Sequence, residues 1–269
     1  MLTMTIKRFD RNGTPIISDK QIDEFAHEVL ADYKSGLLKE PTAIRFEHFL
    51  ESYLGFTLDF KDIFNEDPAR PIFAATAFND GVLKIFDREN TCVRQINVLA
   101  KTVVIDNYVM QSGKEGLALF TGMHEGGHIL IHPRVYNPEC EGQTSLFPSE
   151  ILAVICYRSE NIENFGQPYR KKRTKSEWLE HHADCFAAAT TMPNATFKPF
   201  IKGLLRDYGV RRDKIYLGQN ADIDRLANQI LPFHIHETYG VSKKAAQIKL
   251  IKCGFVVDER DMEVLQAAL

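Results

Sequence analysis

The chain has 269 residues, 44% of them hydrophobic and 26% charged, and its formal net charge is −3. This composition is that of an ordinary globular protein with an apolar core, either one large domain or a catalytic domain with a small appendage. The small net charge gives no reason to expect nucleic acid or an anionic membrane as the main partner. No apolar run approaches the ~20 residues that span a bilayer, so we expect no membrane partner.

The cysteines and the N-terminus indicate a compartment. The five cysteines are odd in number, scattered, and contain no C-x-x-C pair, so they do not suggest a disulfide framework. Residues 1–15 mix basic and acidic side chains and contain no apolar segment of signal-peptide length. We therefore expect reduced thiols and a cytoplasmic location.

The first 106 residues predict two helices and a small sheet. A capping-box pattern, Ser18 to Gln21, begins an amphipathic helix over 18–34, and a second helix over about 42–53 ends at Gly55. Alternation and turn residues predict the strands, which are a short strand over 56–60, a hairpin of 72–78 and 82–86 around Asn79-Asp80-Gly81, and a strand over 102–106.

The next predicted helix is the most informative part of the chain. A second capping-box pattern, Ser112 to Glu115, predicts a helix that runs to about Ile131, where a proline ends it. This helix contains Gly126 and Gly127, and each glycine costs about 1 kcal/mol relative to alanine. We interpret the pair as a sign that another backbone or a substrate approaches closely.

Residues 133–173 are the least regular part of the chain. Within them, 151–157 is apolar and fits either a strand or a buried helical turn. The basic run 170–175 is interpreted as a solvated surface loop, in preference to a docking patch for an acidic or nucleic-acid-bound partner.

Helices dominate the remainder. Thr174 begins a helix that ends at Thr191, and four small alanines would let it lie close against the Gly126-Gly127 helix. Three further helices are predicted over 197–208, 223–231 and 243–252. Before the last of them, Gly240 at a short turn and Ser242 as N-cap resemble a helix-turn-helix unit.

Residues 124–128 read His-Glu-Gly-Gly-His. On a helix, His124 and His128 lie on one face, so both can bind the same ion. Glu125 lies next to that face, where it can reach a water on the metal. This H-E-x-x-H arrangement is typical of a zinc peptidase, in which two imidazoles hold the metal and the glutamate acts as general base.

A catalytic zinc site usually has a third protein ligand. A metzincin would have glycine and histidine where this chain has Ile131 and Arg134, so that class is excluded. His132 is ~12 Å of helix rise from His124 and cannot share an ion with both other histidines. We interpret His132 as a capping or structural histidine at the end of the helix.

The second helix offers a better third ligand. Glu180 can bind the metal, and Asp184, four residues later, can accept the spare N–H of a zinc histidine and fix its tautomer. This Glu-x-x-x-Asp pair downstream of H-E-x-x-H is a gluzincin-type arrangement. His181 or His182 would replace Glu180 if the helix were rotated, and Cys185 is interpreted as a small core residue.

Together these motifs resemble the ImmA/IrrE family of metallo-endopeptidases over most of residues 20–255. The resemblance rests on three separated points, which are the 102–106 strand followed by HEGGH, the stretch from Glu180 to Ala187 followed by Met192-Pro193, and Tyr239-Gly240-Val241-Ser242 before the last helix. Two departures from the usual pattern are Gly126-Gly127 in place of Leu-Gly and a longer 133–173 connection.

The resemblance implies that His124, His128 and Glu180 bind one zinc ion and that Glu125 activates water. It also implies an intracellular protease whose substrate is a helix-turn-helix repressor. The expected fold class is α+β, with a zincin-like catalytic domain over 1–193 that has a short sheet, the HExxH helix and a partner helix. A helical C-terminal region over 194–269 would recognise the substrate.

Several features remain open at this point. A zinc-binding regulator without turnover is one alternative, and a DNA-binding regulator that uses 233–252 is another. An extended peptide could pair with the 102–106 strand or with the 72–86 hairpin. The candidate oxyanion donors, among which the sequence does not choose, are Tyr136, His234, His236 and Tyr239.

Overall fold

The computed structural model describes residues 2–11, 13–67, 71–136, 153–157, 174–218 and 220–257, with the backbone alone for 153–157. The structure is a mixture of 51% helix and 17% strand with small sheets, which confirms the α+β class. None of the helices within these ranges is long and apolar enough to cross a membrane. The basic run 170–173 lies outside the described residues.

The N-terminal helix α1, Asp19–Lys34, begins as predicted. The Ser18 side chain accepts from the Gln21 N–H while the Gln21 side chain accepts from Ser18, which forms the reciprocal capping box. The helix predicted over 42–53 is shorter than expected, because residues 41–45 are not helical and Ile44 among them is buried in the core. Helix α2, Phe46–His48, continues into a π-helical turn, Phe49–Tyr53, before Gly55 reverses the chain at φ +72°.

A four-stranded sheet lies at the centre of the N-terminal part, in the order β1-β5-β2-β6. β5 is parallel to β1 and antiparallel to β2, and β2 is antiparallel to β6. The strands are β1 Thr57–Lys61, β2 Ile72–Ala77, β5 Thr102–Asp106 and β6 Ala153–Tyr157. The ambiguous segment 151–157 therefore contains a strand.

The prediction that 72–78 and 82–86 pair as a hairpin is wrong. β2 is buried at all six positions and pairs on both sides with other strands, so no edge of it is open to the following strand. β3, Gly81–Asp87, pairs instead with β4, Cys92–Val98, and this ribbon packs through Leu83 and Ile85 on one face of the sheet. β5 and β2 are internal strands, so neither the 102–106 strand nor the first half of the 72–86 segment offers an open edge to a peptide. The second half lies in β3, which pairs with β4 on one side and has an isolated bridge to Ile63 on the other.

Helix α3, Glu115–Ile131, crosses the other face of the sheet and carries the HEGGH residues. The capping box predicted at Ser112 does not form, because the helix begins three residues later with Lys114 as an N-cap that makes no side-chain bond. Turns occupy the preceding residues, and Gly113 at φ +82° donates its N–H to the Glu115 carboxylate at 3.0 Å. A short helix α4, Pro133–Tyr136, follows.

Helix α5, Lys175–Thr191, packs along α3. Its capping box is confirmed, since the Thr174 hydroxyl accepts from the Glu177 N–H and the Glu177 carboxylate accepts from the Thr174 N–H. Helix α6, Asn194–Asp207, follows directly.

The helix predicted to end at 231 continues to Tyr239. Helix α7, Ala221–Arg225, passes through a π-helical turn, Leu226–Ile230, into α8, Leu231–Tyr239. Pro232 has no N–H for the carbonyl four residues before it, that of Asn228. The Gln247 side chain donates to this carbonyl at 2.8 Å, so the proline does not end the helical run.

The turn after α8 has the predicted chemistry. Gly240 ends the helix at φ +69°, and the Ser242 hydroxyl accepts from the Ala245 N–H at the start of α9, Lys243–Lys252. Two short parallel strands, β7 Ile215–Tyr216 and β8 Val256–Val257, complete the described chain. One apolar cluster extends from Ile17 to Val256, and the boundary at 193 stays a prediction.

The two glycines of HEGGH have different neighbours. A Cβ at Gly127 would lie 3.0 Å from the Ala183 Cα and 3.2 Å from its carbonyl oxygen, which confirms a close approach of α5. A Cβ at Gly126 would instead meet the ring of Phe49 at 2.9 Å, so the expectation that both glycines face α5 is wrong for Gly126. α3 has a further contact at Gly116, where a Cβ would lie 2.5 Å from the Ser242 nitrogen.

We predict that Gly127→Ala lowers the free energy of unfolding by about 1–3 kcal/mol, because the added methyl meets backbone atoms that cannot move independently. Gly203→Ala is the matched control, since it is also helical but has nothing within 4 Å of the added carbon. That variant should gain about 0.5–1 kcal/mol from helix propensity. Denaturant unfolding measures both, and equal effects would contradict the close-approach interpretation.

Candidate metal centre

Three predicted ligands come together between α3 and α5. His124 and His128 lie one turn apart on α3, and their Nε2 atoms are 3.0 Å apart. Glu180 on α5 places Oε2 3.2 Å from Nε2 of His124 and Oε1 3.4 Å from Nε2 of His128. Donor atoms of the three residues all lie within 4.8 Å of one another, so they could hold one metal ion.

The hydrogen bond to Asp184 decides how His124 presents its ring. Nδ1 of His124 lies 2.8 Å from Oδ1 of Asp184, and an ionised carboxylate can only accept. Nδ1 therefore carries the proton, and Nε2 offers a lone pair towards Glu180. Asp184 thus occupies the position expected of a carboxylate that fixes the tautomer of a ligand histidine.

A chain of histidines continues from His128 into the protein. Nδ1 of His128 lies 3.1 Å from Nδ1 of His132, and Nε2 of His132 lies 3.3 Å from Nδ1 of His182. Burial, together with the neighbouring His128 and His182, holds the pKa of His132 well below its usual range, so the ring is neutral. A neutral His132 accepts at one nitrogen and donates at the other. In the tautomer with the His132 proton on Nε2, Nδ1 of His128 donates to His132 and Nε2 of His128 is free to accept.

His132 is thus the C-cap residue of α3, as predicted, and is fully buried. Sequence reasoning missed its contact with His128. The signal was present, because 128 and 132 are again four residues apart on one helical face. His182 was considered as an alternative third ligand. It contacts His132, whereas Glu180 contacts His124 and His128.

The Glu125 carboxylate is entirely buried beside this cluster. Its Oε2 accepts a hydrogen bond from the hydroxyl of Thr76 on β2. Its Oε1 has no hydrogen-bond partner among the described residues. A buried carboxylate oxygen without a donor is costly, and a bound water or substrate proton would satisfy it. Sequence reasoning missed Thr76, which lies in a strand 49 residues away.

The electrostatics favour a cation among the three ligands. Burial alone would raise the pKa of Glu180, but the positive charge and N–H groups that His128 and His124 supply when protonated outweigh it and keep the pKa well below its usual range. A metal ion would take the place of those protons, and the neutral rings would then turn two imidazole lone pairs towards the same point as the carboxylate. Such a set of acceptors suits a positive ion, and two histidines with a glutamate are a common ligand set for catalytic zinc. The residues therefore fit a transition-metal ion, whose identity the geometry does not specify.

The other candidate residues have different surroundings. His181 faces α1, where its Nε2 lies 2.8 Å from Oδ1 of Asp19. Of the proposed oxyanion donors, Tyr136 lies beside His128 with ring centroids 5.8 Å apart. The other three bind groups outside the cluster, since His234 contacts Tyr208, His236 donates to the Val241 carbonyl and Tyr239 donates to Thr196.

A scan against protein-family models finds no match for this chain, and a search of curated proteins finds no significant similarity. The function must therefore be inferred from the site itself.

We predict that His132→Ala weakens zinc binding by about 10–100-fold, because His128 loses the group that fixes its tautomer. His234→Ala is the matched control, since that histidine binds Tyr208 at a distance from the cluster. Competition with a chromophoric chelator measures both affinities. Equal affinities in the two variants would show that His132 only packs.

Proposed function

We propose that the protein is a zinc-dependent endopeptidase with a zincin-like catalytic domain, similar to the ImmA/IrrE family. The observation that carries the proposal is the unsatisfied Oε1 of Glu125 next to three converging donor side chains. A site for structural metal would have no use for a buried carboxylate that takes no part in binding. A hydrolytic site needs such a group as its base.

The residues would divide the work as follows. His124, His128 and Glu180 would hold zinc. When bound, zinc would polarise the scissile carbonyl of the substrate and lower the pKa of its bound water to ~7. Glu125 would accept a proton from the attacking water at Oε1 and pass it to the leaving amine. Thr76 keeps the other oxygen hydrogen-bonded, so the carboxylate cannot rotate freely. Tyr136 is the candidate oxyanion donor nearest a ligand residue.

The substrate is proposed to be a protein, probed first with helix-turn-helix repressors. This part of the proposal rests on the family resemblance, one point of which is the turn where α8 ends at Gly240 and Ser242 caps α9. We extend the same proposal to a cytoplasmic location, since the described cysteines 92, 185 and 253 are free thiols. We do not extend it to DNA binding, because the formal net charge is −3 and Lys249 is buried, although Lys243, Lys244 and Lys252 are exposed.

We predict that Glu125→Gln lowers the cleavage rate by about 10²–10⁴-fold while the metal content stays at the wild-type level. Glutamine keeps the size of the side chain and its contact with Thr76 but cannot accept the proton. Purified repressors are incubated with each protein, and mass spectrometry counts new termini. Chelation should abolish cleavage and zinc should restore it.

Two results would contradict the peptidase proposal. One is cleavage at the wild-type rate by Glu125→Gln. The other is a fully metallated wild-type protein that produces no new termini in any repressor or in a digest of denatured proteins. Either would favour a metal-binding regulator without turnover.

We also predict that Thr76→Val lowers the cleavage rate by roughly 10-fold, since one neutral–ionic hydrogen bond of about 1.5–3 kcal/mol is lost on a buried carboxylate. Thr121→Val is the control, because it removes a buried hydroxyl from α3 with no bond to Glu125. Metal content and rate are measured for both. A rate equal to that of the control would show that Thr76 does not position the base.

A further inference from the structure

Helix α5 carries two pairs of metal-binding side chains, offset by one residue. Glu180 and Asp184 face α3, whereas His181 and Cys185 face α1. Both pairs have the spacing of four residues that places side chains on one helical face. A rotation of about 100° separates consecutive residues of a helix, so the two pairs serve different neighbours.

The second pair meets Asp19 in the first turn of α1. Nε2 of His181 lies 2.8 Å from Oδ1 of Asp19 and 3.6 Å from Sγ of Cys185. One donor atom of each residue lies within 4.8 Å of the others. Around a tetrahedral zinc ion, ordinary bond lengths place nitrogen and sulfur ligands ~3.6 Å apart and nitrogen and oxygen ligands ~3.3 Å apart. The cluster thus needs only a small opening between Asp19 and His181 to admit an ion.

We propose that Asp19, His181 and Cys185 form a second site for a zinc-type cation, distinct from the one between α3 and α5. The ion would bind Nε2 of His181 and Oδ1 of Asp19 in place of the proton between them; that proton leaves to solvent, and the imidazole stays neutral with one proton on Nδ1. The ion would also displace the proton of the Cys185 thiol, which leaves to solvent as the sulfur–metal bond forms. One thiolate and one carboxylate then balance the two charges of the ion, so the ion and its ligands together carry no net charge.

Access to this site is provided by a cavity of about 460 Å³, whose wall includes Asp19 and Cys185. The cavity offers an entry path and room for a water as the fourth ligand. Lys252 lies in the same wall, and its positive charge repels an incoming cation, so the negative charges of both Asp19 and an ionised Cys185 are needed to bind one. Burial raises the pKa of the Cys185 thiol, so without metal the thiol stays protonated and unreactive.

An ion at this place would fasten α1 to α5. The two helices already pack along each other, and α5 presents Glu180 and Asp184 on its neighbouring face. The second site would therefore help hold the register of the helix that supplies the third ligand. The proposal does not depend on whether the first site has peptidase activity.

Cobalt titration under reducing conditions tests the proposal, because a cobalt–thiolate bond gives a charge-transfer band in the near ultraviolet that histidine and glutamate ligands do not give. The wild-type protein should bind two equivalents and show the band. Cys185→Ser should lose the band and one equivalent. Cys253→Ser, which alters the other cysteine of the cavity wall, should keep both.

Two further variants separate the sites and guard against misfolding. His124→Ala should lose one equivalent but keep the thiolate band, so failure at the first site is recognised independently. Asp19→Asn, at a partly exposed position, should raise the cobalt concentration at which the band is half-maximal by at least 10-fold. The circular dichroism spectrum should not change. A wild-type protein without the band, or a band that survives Cys185→Ser, would overturn the proposal.

Discussion

The close packing of α3 on α5 is the constraint on which the candidate centre depends. Gly127 has no side chain, so the backbone of Ala183 can approach the middle of the HEGGH helix. One turn from this contact, Glu180 and Asp184 reach His124 and His128. A larger residue at Gly127 would meet the backbone of Ala183 and push the two helices apart. The site and the helix packing are therefore one structural feature.

The geometry of the cluster is set by groups that do not face the ion. Asp184 accepts the proton on Nδ1 of His124, His132 contacts Nδ1 of His128, and Thr76 donates to the Glu125 carboxylate. These three residues lie on a different helix, at a helix end and in a strand. The candidate centre thus takes its residues from the sheet as well as from the two helices.

Sequence reasoning succeeded where the determinants are local. The capping boxes at Ser18 and Thr174 are satisfied by neighbouring residues, and the spacing of His124 and His128 follows from helical geometry alone. It failed where the outcome depends on distant partners. The turn residues at 79–81 correctly predicted that the chain turns there. They did not predict which strands pair, because β2 pairs with β5 and β6 and not with β3, which follows the turn. Thr76 could not be found, since nothing near it in the chain refers to Glu125.

The contact between Gly116 and Ser242 joins the start of α3 to the turn between α8 and α9. The first turn of α3 rests on the backbone of 240–242, with no side chain between them to absorb a movement. The ligand histidines lie eight and twelve residues further along the same helix. A residue larger than glycine at position 116 would therefore displace either the turn at Ser242 or the helix that carries the two histidines.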